Sequence, residues 1–584
     1  MKGRLQTTEL KFMAVLVLLI CGFIYFRYVV PYHVCFKEQI QMFMFSSSYL
    51  LSYFSKPAVF AYLGGDFLTQ FLYFKTGGAV VITLILAAEW WLIFLILKHF
   101  SVKSGYRWVM SLLPVFVEWI FYPHITFSLA LSVSFIISLF AFLIYTKTNG
   151  KISVTIGLVL IPILYVIAGA SVFLFLFFVI LYEICNKRKR FIYLVVISSL
   201  TITIPVILRY FYLLSLKQAY LYPYIDANQG YSLVVLALGV LLFVCFKKLK
   251  PEIPNRNSKV LNETKLKIRN LKPAVTYIVL ASILITGLVI TTDRKLENLL
   301  GIVIESQYKN WDKVLAIAEN AELKNPIASY YTNLALSEKN MLGERLMEFY
   351  QPFSSGLLLP GTPTPNSSSL TFFSGSDAYF HIGDMEMAQH AAMLGMLSMP
   401  HQRSARLTER LAEINIAIGD IPAATKYIRM LESTLFHKFD TDKLKDKTHH
   451  KVYKKDIIRS ADDYKKSLEL LTESNPDNLP ALNYLMCFYL LNKDIPAFFK
   501  VYTSYYKEKN DHVPKVYAEA LLIYFAMTKA SVKEFSEYNI QPKIIRSCDE
   551  YTRLFNESQG KIVPKLNKFS NTYWFYYHFA VLNK

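Results

Sequence analysis

The stretch Gly78-Ala-Val-Val-Ile-Thr-Leu-Ile-Leu-Ala-Ala-Glu-Trp-Trp-Leu-Ile-Phe-Leu-Ile-Leu97 contains one charged residue, Glu89. Its length, about 20 residues, is what an α-helix needs to cross the hydrocarbon core of a bilayer. Similar apolar runs follow one another through the first half of the chain, at about residues 12–30, 78–97, 108–123, 125–145, 153–169, 171–185, 191–213, 231–246 and 274–292. The sequence therefore predicts a polytopic helical membrane domain over residues 1–292, with about nine spans in the lipid bilayer.

The composition also favours a membrane protein. Hydrophobic residues make up 54% of the 584-residue chain and charged residues only 18%, whereas about a quarter of an average soluble domain is charged. Residues 1–292 hold 27 of the 63 Lys and Arg residues but only 9 of the 43 Asp and Glu residues, so most of the +20 net charge lies in the apolar half. This pattern is typical of cytoplasmic loops, and we expect no nucleic-acid partner.

The basic residues predict an orientation as well. With the N-terminus in the cytoplasm, the inner segments hold 21 of these 27 basic residues and the outer segments hold six. Lys and Arg are enriched in cytoplasmic loops. Residues 293–584 are therefore predicted to lie outside the cytoplasm, which in a bacterium means the periplasm.

The first outer segment, residues 31–77, is long and rich in aromatic residues. Apolar side chains recur in it at spacings of three and four, the periodicity of one helical face. These side chains are Phe60, Leu63, Phe67, Phe71 and Phe74. We therefore expect helices in this segment that lie in the membrane interface.

Two acidic residues, Glu38 and Asp66, stand in this apolar segment. Burial raises the pKa of a carboxyl group and suits it to general-base chemistry, so both are candidate catalytic residues. The alternative is structural: Glu38 pairs with Lys37 or with solvent, and Asp66 caps a helix that starts after Gly65.

Other polar residues on the outer side are predicted to bind a substrate. They are His33, Gln39, Arg209 and Asp226. Within the spans, Glu89 and Glu118 are costly to bury, and they belong either to a network that stabilises the helix bundle or to a substrate pathway. Glu183 stands beside the basic run 187–190, and we expect it to pair with that run.

The second half of the chain, residues 293–584, has a different pattern. Polar turns followed by short apolar helix starts recur at Tyr308, His381, Ala417 and Leu491, in steps of 73, 36 and 74 residues. In Gly383-Asp384 and Gly419-Asp420 the glycine permits a turn, and the aspartate can cap the next helix. The sequence thus predicts an all-α protein in which a helical solenoid follows the membrane domain.

The solenoid pattern, Gly-Asp-x-x-x-Ala with a unit of about 36 residues, resembles that of tetratricopeptide repeats. This resemblance implies a concave surface that binds a protein or peptide partner.

The chain also resembles a family of bacterial multi-pass membrane proteins to which no activity is assigned. That resemblance rests on Glu38-Gln-Ile-Gln-Met-Phe43, Tyr62-Leu-Gly-Gly-Asp-Phe-Leu-Thr-Gln-Phe71 and Ser376-Asp-Ala-Tyr-Phe-His-Ile-Gly-Asp-Met-Glu-Met-Ala-Gln389. It implies a location in the bacterial inner membrane.

In layout, the chain resembles the GT-C membrane glycosyltransferases, which have many spans and a long first external loop with an acidic residue. This resemblance implies transfer of a sugar from a lipid-linked donor, with Glu38 as the base and Asp66 holding the donor or a divalent metal ion. The class usually has Asp-Asp or Asp-Glu just after the first span, where this chain has Glu38-Gln39.

Three hypotheses of function follow from the sequence. The first is a glycosyltransferase of this kind, and the second is a non-catalytic scaffold whose repeats bind envelope proteins. A transporter that uses Glu89 and Glu118 is the third.

Overall fold

The computed structural model describes residues 13, 15–102, 104–186, 188, 190–224, 230–249, 278–279, 281–357, 368–439, 463–509, 512–530 and 536–581. Within these ranges the regular secondary structure is helical and no strand occurs, so the all-α prediction is confirmed for the described residues. The chain divides into two compact units, Met1–Asp293 with Ser433–Phe436, and Arg294–Glu432 with His437–Lys584.

The first unit is built from apolar helices. In chain order they are α1 (Val15–Val29), α2 (Pro31–Gln39), α3 (Ser47–Ser52), α4 (Val59–Thr69), α5 (Lys75–His99), α6 (Ser104–Phe121), α7 (Leu129–Thr146), α8 (Gly150–Ala168), α9 (Val172–Cys185), α10 (Phe191–Tyr212), α11 (Leu216–Leu221), α12 (Tyr231–Leu249) and α13 (Ala281–Thr291).

Four helical segments of the described chain are long and apolar enough to cross a membrane. They are α5, α7, α10 and the 36-residue pair of α8 and α9, and the pair of α1 and α2 makes a fifth if its 71° bend is counted within one span. The sequence predicts two spans for α8 and α9, and the structure joins these helices by a single turn at Gly169–Ser171, where Gly169 has a φ of 70°. The apolar helices over Tyr231–Leu241 and Ala281–Thr291 are shorter than the length that a bilayer crossing requires.

A close helix contact positions the segment 31–77, which forms the short helices α2, α3 and α4. Helix α4 packs on α7 at Gly65, where a Cβ atom would lie 2.3 Å from the backbone nitrogen of Ala130. Only a glycine fits at such a distance. The contact holds Asp66, the next residue, beside α7.

The second unit consists of polar and amphipathic helices. They are α14 (Arg294–Gln307), α15 (Trp311–Ala321), α16 (Pro326–Glu338), α17 (Leu342–Arg345), α18 (Ser369–Ile382), α19 (Met385–Ser398), α20 (Ala405–Ile418), α21 (Ile421–Glu432), α22 (Tyr464–Ser474), α23 (Leu479–Leu491), α24 (Ile495–Val501), α25 (Lys515–Thr528), α26 (Pro542–Glu557) and α27 (Tyr573–Phe579).

The two Gly-Asp turns join paired helices in the predicted way. Gly383 and Gly419 have φ values of 85° and 83°, in the left-handed region that favours glycine. Asp384 accepts a hydrogen bond from the Met387 N–H at 3.1 Å, and Asp420 makes the equivalent contact at the start of α21 at 3.0 Å. Both aspartates are therefore helix caps, and α18 packs against α19 as α20 packs against α21.

Candidate functional sites

Helix α2 carries three of the predicted site residues in the first unit. The side chains of His33, Glu38 and Gln39 are buried, with 2–5% of their surface exposed. Lys37 lies among them, and its ammonium group donates to two backbone carbonyl oxygens of the turn between α6 and α7, at 2.6 and 2.7 Å. The ammonium group is thus bound by backbone carbonyl oxygens.

The α6–α7 turn adds a second histidine to this group. Burial, followed by the charges of Lys37 and His33, lowers the pKa of His124 below its ordinary value. His33 and Lys37 are therefore close enough to His124 to act on its charge, and Glu38 lies on the same helix as these two residues.

Asp66 lies inside α4 and not at its start, so the prediction that it caps a helix after Gly65 is wrong. Its carboxylate accepts a hydrogen bond at 2.7 Å from the hydroxyl of Tyr53, which in turn contacts the hydroxyl of Tyr49 at 2.9 Å. The side chain is only 5% exposed. Helix α2, which carries Glu38, and helix α4, which carries Asp66, both pack against the turn Gln70–Tyr73.

The remaining predicted residues are not joined to these acids by a described contact. Arg209 lies near the end of α10, where it donates to the hydroxyl of Tyr210 at 2.7 Å and covers the same ring. Asp226 lies outside the described residues. Among the residues that the structure describes, no three His, Cys, Asp or Glu side chains are grouped to hold a metal ion.

Glu183, at the end of α9, has the partners that the sequence predicts. Its carboxylate accepts from Arg188 at 3.0 Å, lies 3.5 Å from Arg190 and also accepts from Tyr145 at 2.7 Å. The predicted pairing with the basic run is confirmed, and it makes Glu183 a structural residue.

The second unit contains a polar cavity of about 300 Å³, here called the arginine cavity. Side chains of α16, α18, α20 and the α14–α15 turn line it, and Tyr308 and Trp311 stand at that turn. Asp377, Arg406 and Arg410 lie in its wall. Aromatic and arginine side chains together are the composition that dominates binding energy at protein interfaces.

Asp377 is the centre of a buried ion network in this wall. Its carboxylate accepts from Arg406 at 2.6 Å, from Arg410 at 2.8 Å and from the Tyr331 hydroxyl at 2.8 Å. Burial alone would raise the pKa of Asp377, but the charges of Arg406 and Arg410 outweigh burial and hold that pKa below its ordinary value. The carboxylate therefore stays ionised and fixes both guanidinium groups.

The cavity lining carries an excess of acid. Four of its side chains are carboxylic and three are Lys or Arg. Arg410 also donates to Glu413 at 2.6 Å, and His381 contacts Glu338 at 2.8 Å. Glu409 accepts only a long contact, 3.4 Å, from Gln307, and burial followed by the charge of Glu413 raises the pKa of Glu409. Glu409 is therefore the acid of the lining that is least neutralised by a cation.

The sequence analysis did not predict this network, although two features of the sequence are consistent with it. Asp377 lies in the segment Ser376–Gln389 that carries the family resemblance, and Arg406 and Arg410 are four residues apart, on one face of α20. No local pattern predicts that α18 and α20 bring these residues together.

The fold and these sites define an all-helical protein with several helices that can cross a membrane. A model of a family described as "Family of unknown function (DUF6057)" matches residues 7–580, and the chain belongs to that family. Comparison with curated proteins and with solved structures gives no match.

Proposed function

We propose that the protein is a membrane-anchored binding protein of the bacterial envelope, and that its second unit holds a peptide segment of a protein partner in the arginine cavity. The observation that carries this proposal is the engagement of Asp377 by both Arg406 and Arg410 in the wall of a cavity. Charged groups fixed in advance lose little freedom when a ligand binds.

The excess of carboxyl groups in the lining favours a partner segment that carries positive charge. Asp377 and Glu413 pair with both arginines, and the lining then has two further carboxyl groups, Glu338 and Glu409, against one lysine. A segment with a Lys or Arg side chain complements these carboxyl groups, and the ring of Trp311 offers a face for the alkyl stem or the cation. The repeat-like pairing of helices, similar to that of tetratricopeptide repeats, agrees with peptide binding.

A binding assay with the full-length protein in lipid nanodiscs tests this. Two fluorescent peptides of equal length, one with Lys and Arg and the other with Glu and Asp at the same positions, are compared by anisotropy. The basic peptide should bind about tenfold more tightly, a difference of about 1.4 kcal/mol. Glu409→Gln should reduce that preference, and the control Glu557→Gln, on α26 with a 61% exposed side chain, should leave it unchanged. Equal affinity for both peptides contradicts the proposal.

The orientation proposed here follows the basic residues. The proposed topology has nine spans and a cytoplasmic N-terminus, which would put residues 293–584 in the periplasm, and the 21-to-6 distribution of Lys and Arg supports it. A phosphatase active only in the periplasm, fused after Lys584, should be active, and a fluorescent protein that matures only in the cytoplasm should be dark. The reverse pair of results contradicts the topology.

A second candidate function is transfer of a sugar from a lipid-linked donor. The observation that favours it is the burial of Glu38 on α2, in the first outer segment, where a carboxylate could act as the base. In membranes supplied with a polyprenyl-phosphate sugar, Glu38→Gln should abolish transfer while the abundance of the protein stays the same. Glu557→Gln is the matched control, and transfer that persists in Glu38→Gln contradicts this role.

A further inference from the structure

Two carboxyl groups meet inside the first unit, away from the segment 31–77. Glu89 lies near the middle of α5, 14 residues after Lys75 and 10 before His99. At about 1.5 Å per residue it is roughly 21 and 15 Å from the two helix ends. Glu118, on α6, is its neighbour, and the two side chains are in hydrogen-bond contact. Both are buried, with 0% and 2% of their surface exposed.

Two serine hydroxyls donate to Glu118. Ser132 of α7 donates to one oxygen of Glu118 at 2.6 Å, and Ser232 of α12 donates to the other at 3.0 Å. The hydroxyls of Tyr122 and Ser132 are 2.7 Å apart, so Tyr122 can donate to Ser132 while Ser132 donates to Glu118. Both carboxyl oxygens of Glu118 therefore accept hydrogen bonds, as the oxygens of an ionised carboxylate do.

Glu89 has the opposite surroundings. Neither of its carboxyl oxygens receives a hydrogen bond from any donor among the described residues. Two ionised carboxylates in contact at this depth would repel each other strongly and would lack solvation. A proton on Glu89 removes the charge and makes its carboxyl group a donor, for which the acceptor in contact is Glu118.

We propose that Glu89 and Glu118 form a binding site for a single proton between α5 and α6. In the loaded state, Glu89 carries the proton and donates it to the Glu118 carboxylate, so the pair has one negative charge. Release of the proton leaves two carboxylates in contact, held between α5, α6, α7 and α12. In the described part of the chain, the titratable side chains of Tyr122 and Tyr224 also interact with both carboxyl groups. Gain or loss of one proton is thereby linked to the packing of these four helices.

Infrared spectroscopy of the full-length protein in lipid tests the proposal directly. At neutral pH the spectrum should contain a carboxylic-acid C=O band that disappears in Glu89→Gln and shifts in Glu118→Gln. The control Glu183→Gln should leave the band unchanged, because Glu183 pairs with Arg188 and Arg190 and lies outside this pair. A Gln amide at position 89 can donate to Glu118 as the protonated acid does, so a normal melting temperature is expected for Glu89→Gln.

Chemical labelling of the unmodified protein gives a second test that does not depend on a variant. Dicyclohexylcarbodiimide enters apolar regions and reacts with protonated carboxyl groups, and mass spectrometry should find one adduct per chain, on Glu89 or Glu118. Three results overturn the proposal: an acid band that survives both substitutions, an adduct on Glu183 in place of the pair, or a band that Na⁺ abolishes at constant pH. The last result would assign the site to a metal cation.

Discussion

Arg406 Nη2 lies 2.6 Å from Asp377 Oδ2, and the two side chains are only 3% and 8% exposed. A buried ion pair of this kind gives little net stability, but removing one partner leaves a charge without compensation. Replacing one of these two residues by a neutral side chain should therefore lower the stability of the second unit strongly.

Asp377→Asn should destabilise the packing of α18 against α20 by about 3 kcal/mol, because both Arg406 and Arg410 lose their common carboxylate. Hydrogen exchange of the full-length protein, read by mass spectrometry in peptides from these helices, should be about a hundredfold faster. The control Asp312→Asn removes a carboxylate that is 87% exposed and should change exchange little. Unchanged exchange in Asp377→Asn would show that the network does not hold the cavity wall.

The stability of the second unit should fall as the pH rises from about 5 to 8. Burial, opposed by weaker contacts with the Tyr573 N–H and Lys515, raises the pKa of Glu519 from 4.5 to about 8. Between these values the folded state binds one proton more than the unfolded state, so stability decreases by up to about 1.4 kcal/mol per pH unit and is greatest below the unfolded pKa.

Exchange of the amides in α25 and α27, measured between pH 5 and 8 and corrected for intrinsic rates, reports this loss. Glu519→Gln keeps an acceptor for the Tyr573 N–H, which Glu519 binds at 2.5 Å, and should flatten the pH dependence. The exposed Glu557→Gln should retain it. A slope that survives in Glu519→Gln would assign the effect to another group.

The repeat turns can be tested through one glycine. Gly419 has a φ of 83° and no heavy atom within 4 Å of a Cβ built on it, so Gly419→Ala is penalised by backbone conformation alone. A destabilisation of about 1 kcal/mol is expected. Protease susceptibility of the α20–α21 turn in the full-length protein measures it, with Gly230→Ala, at another open position in the chain, as the control. Equal susceptibility of both variants would contradict the strained turn.

Local patterns predicted much of the fold. Apolar runs located the helices of the first unit, and the Gly-Asp turns predicted the caps at Asp384 and Asp420 because a cap depends only on residues within one turn. The pairing of Glu183 was predictable for the same reason, since its partners follow it in the chain. Span count was harder, because a polar or Gly-containing break in a hydrophobic run does not tell whether the helix turns back.

The candidate sites depend on contacts between distant residues, and the sequence predicted their composition better than their geometry. The sequence offers Lys37 or solvent as a partner of Glu38, but it gives no sign of the two carbonyl oxygens, some 85 and 90 residues away, that bind the Lys37 ammonium. Asp66 was expected at a helix start, but α4 already begins at Val59. Contacts of this kind follow from the packing of helices, which no local spacing encodes.

The contact of α4 with α7 gives a prediction with an internal control, because two adjacent glycines face different atoms. A Cβ on Gly65 would lie 2.3 Å from the backbone nitrogen of Ala130, which cannot move without shifting α7. A Cβ on Gly64 would lie 3.3 Å from a methyl group of Val133, which can rotate. Gly65→Ala should therefore destabilise the first unit by roughly 3 kcal/mol, and Gly64→Ala should have little effect. Thermal unfolding of the two purified variants in detergent distinguishes them, and equal melting temperatures would mean that α4 does not pack on α7 at Gly65.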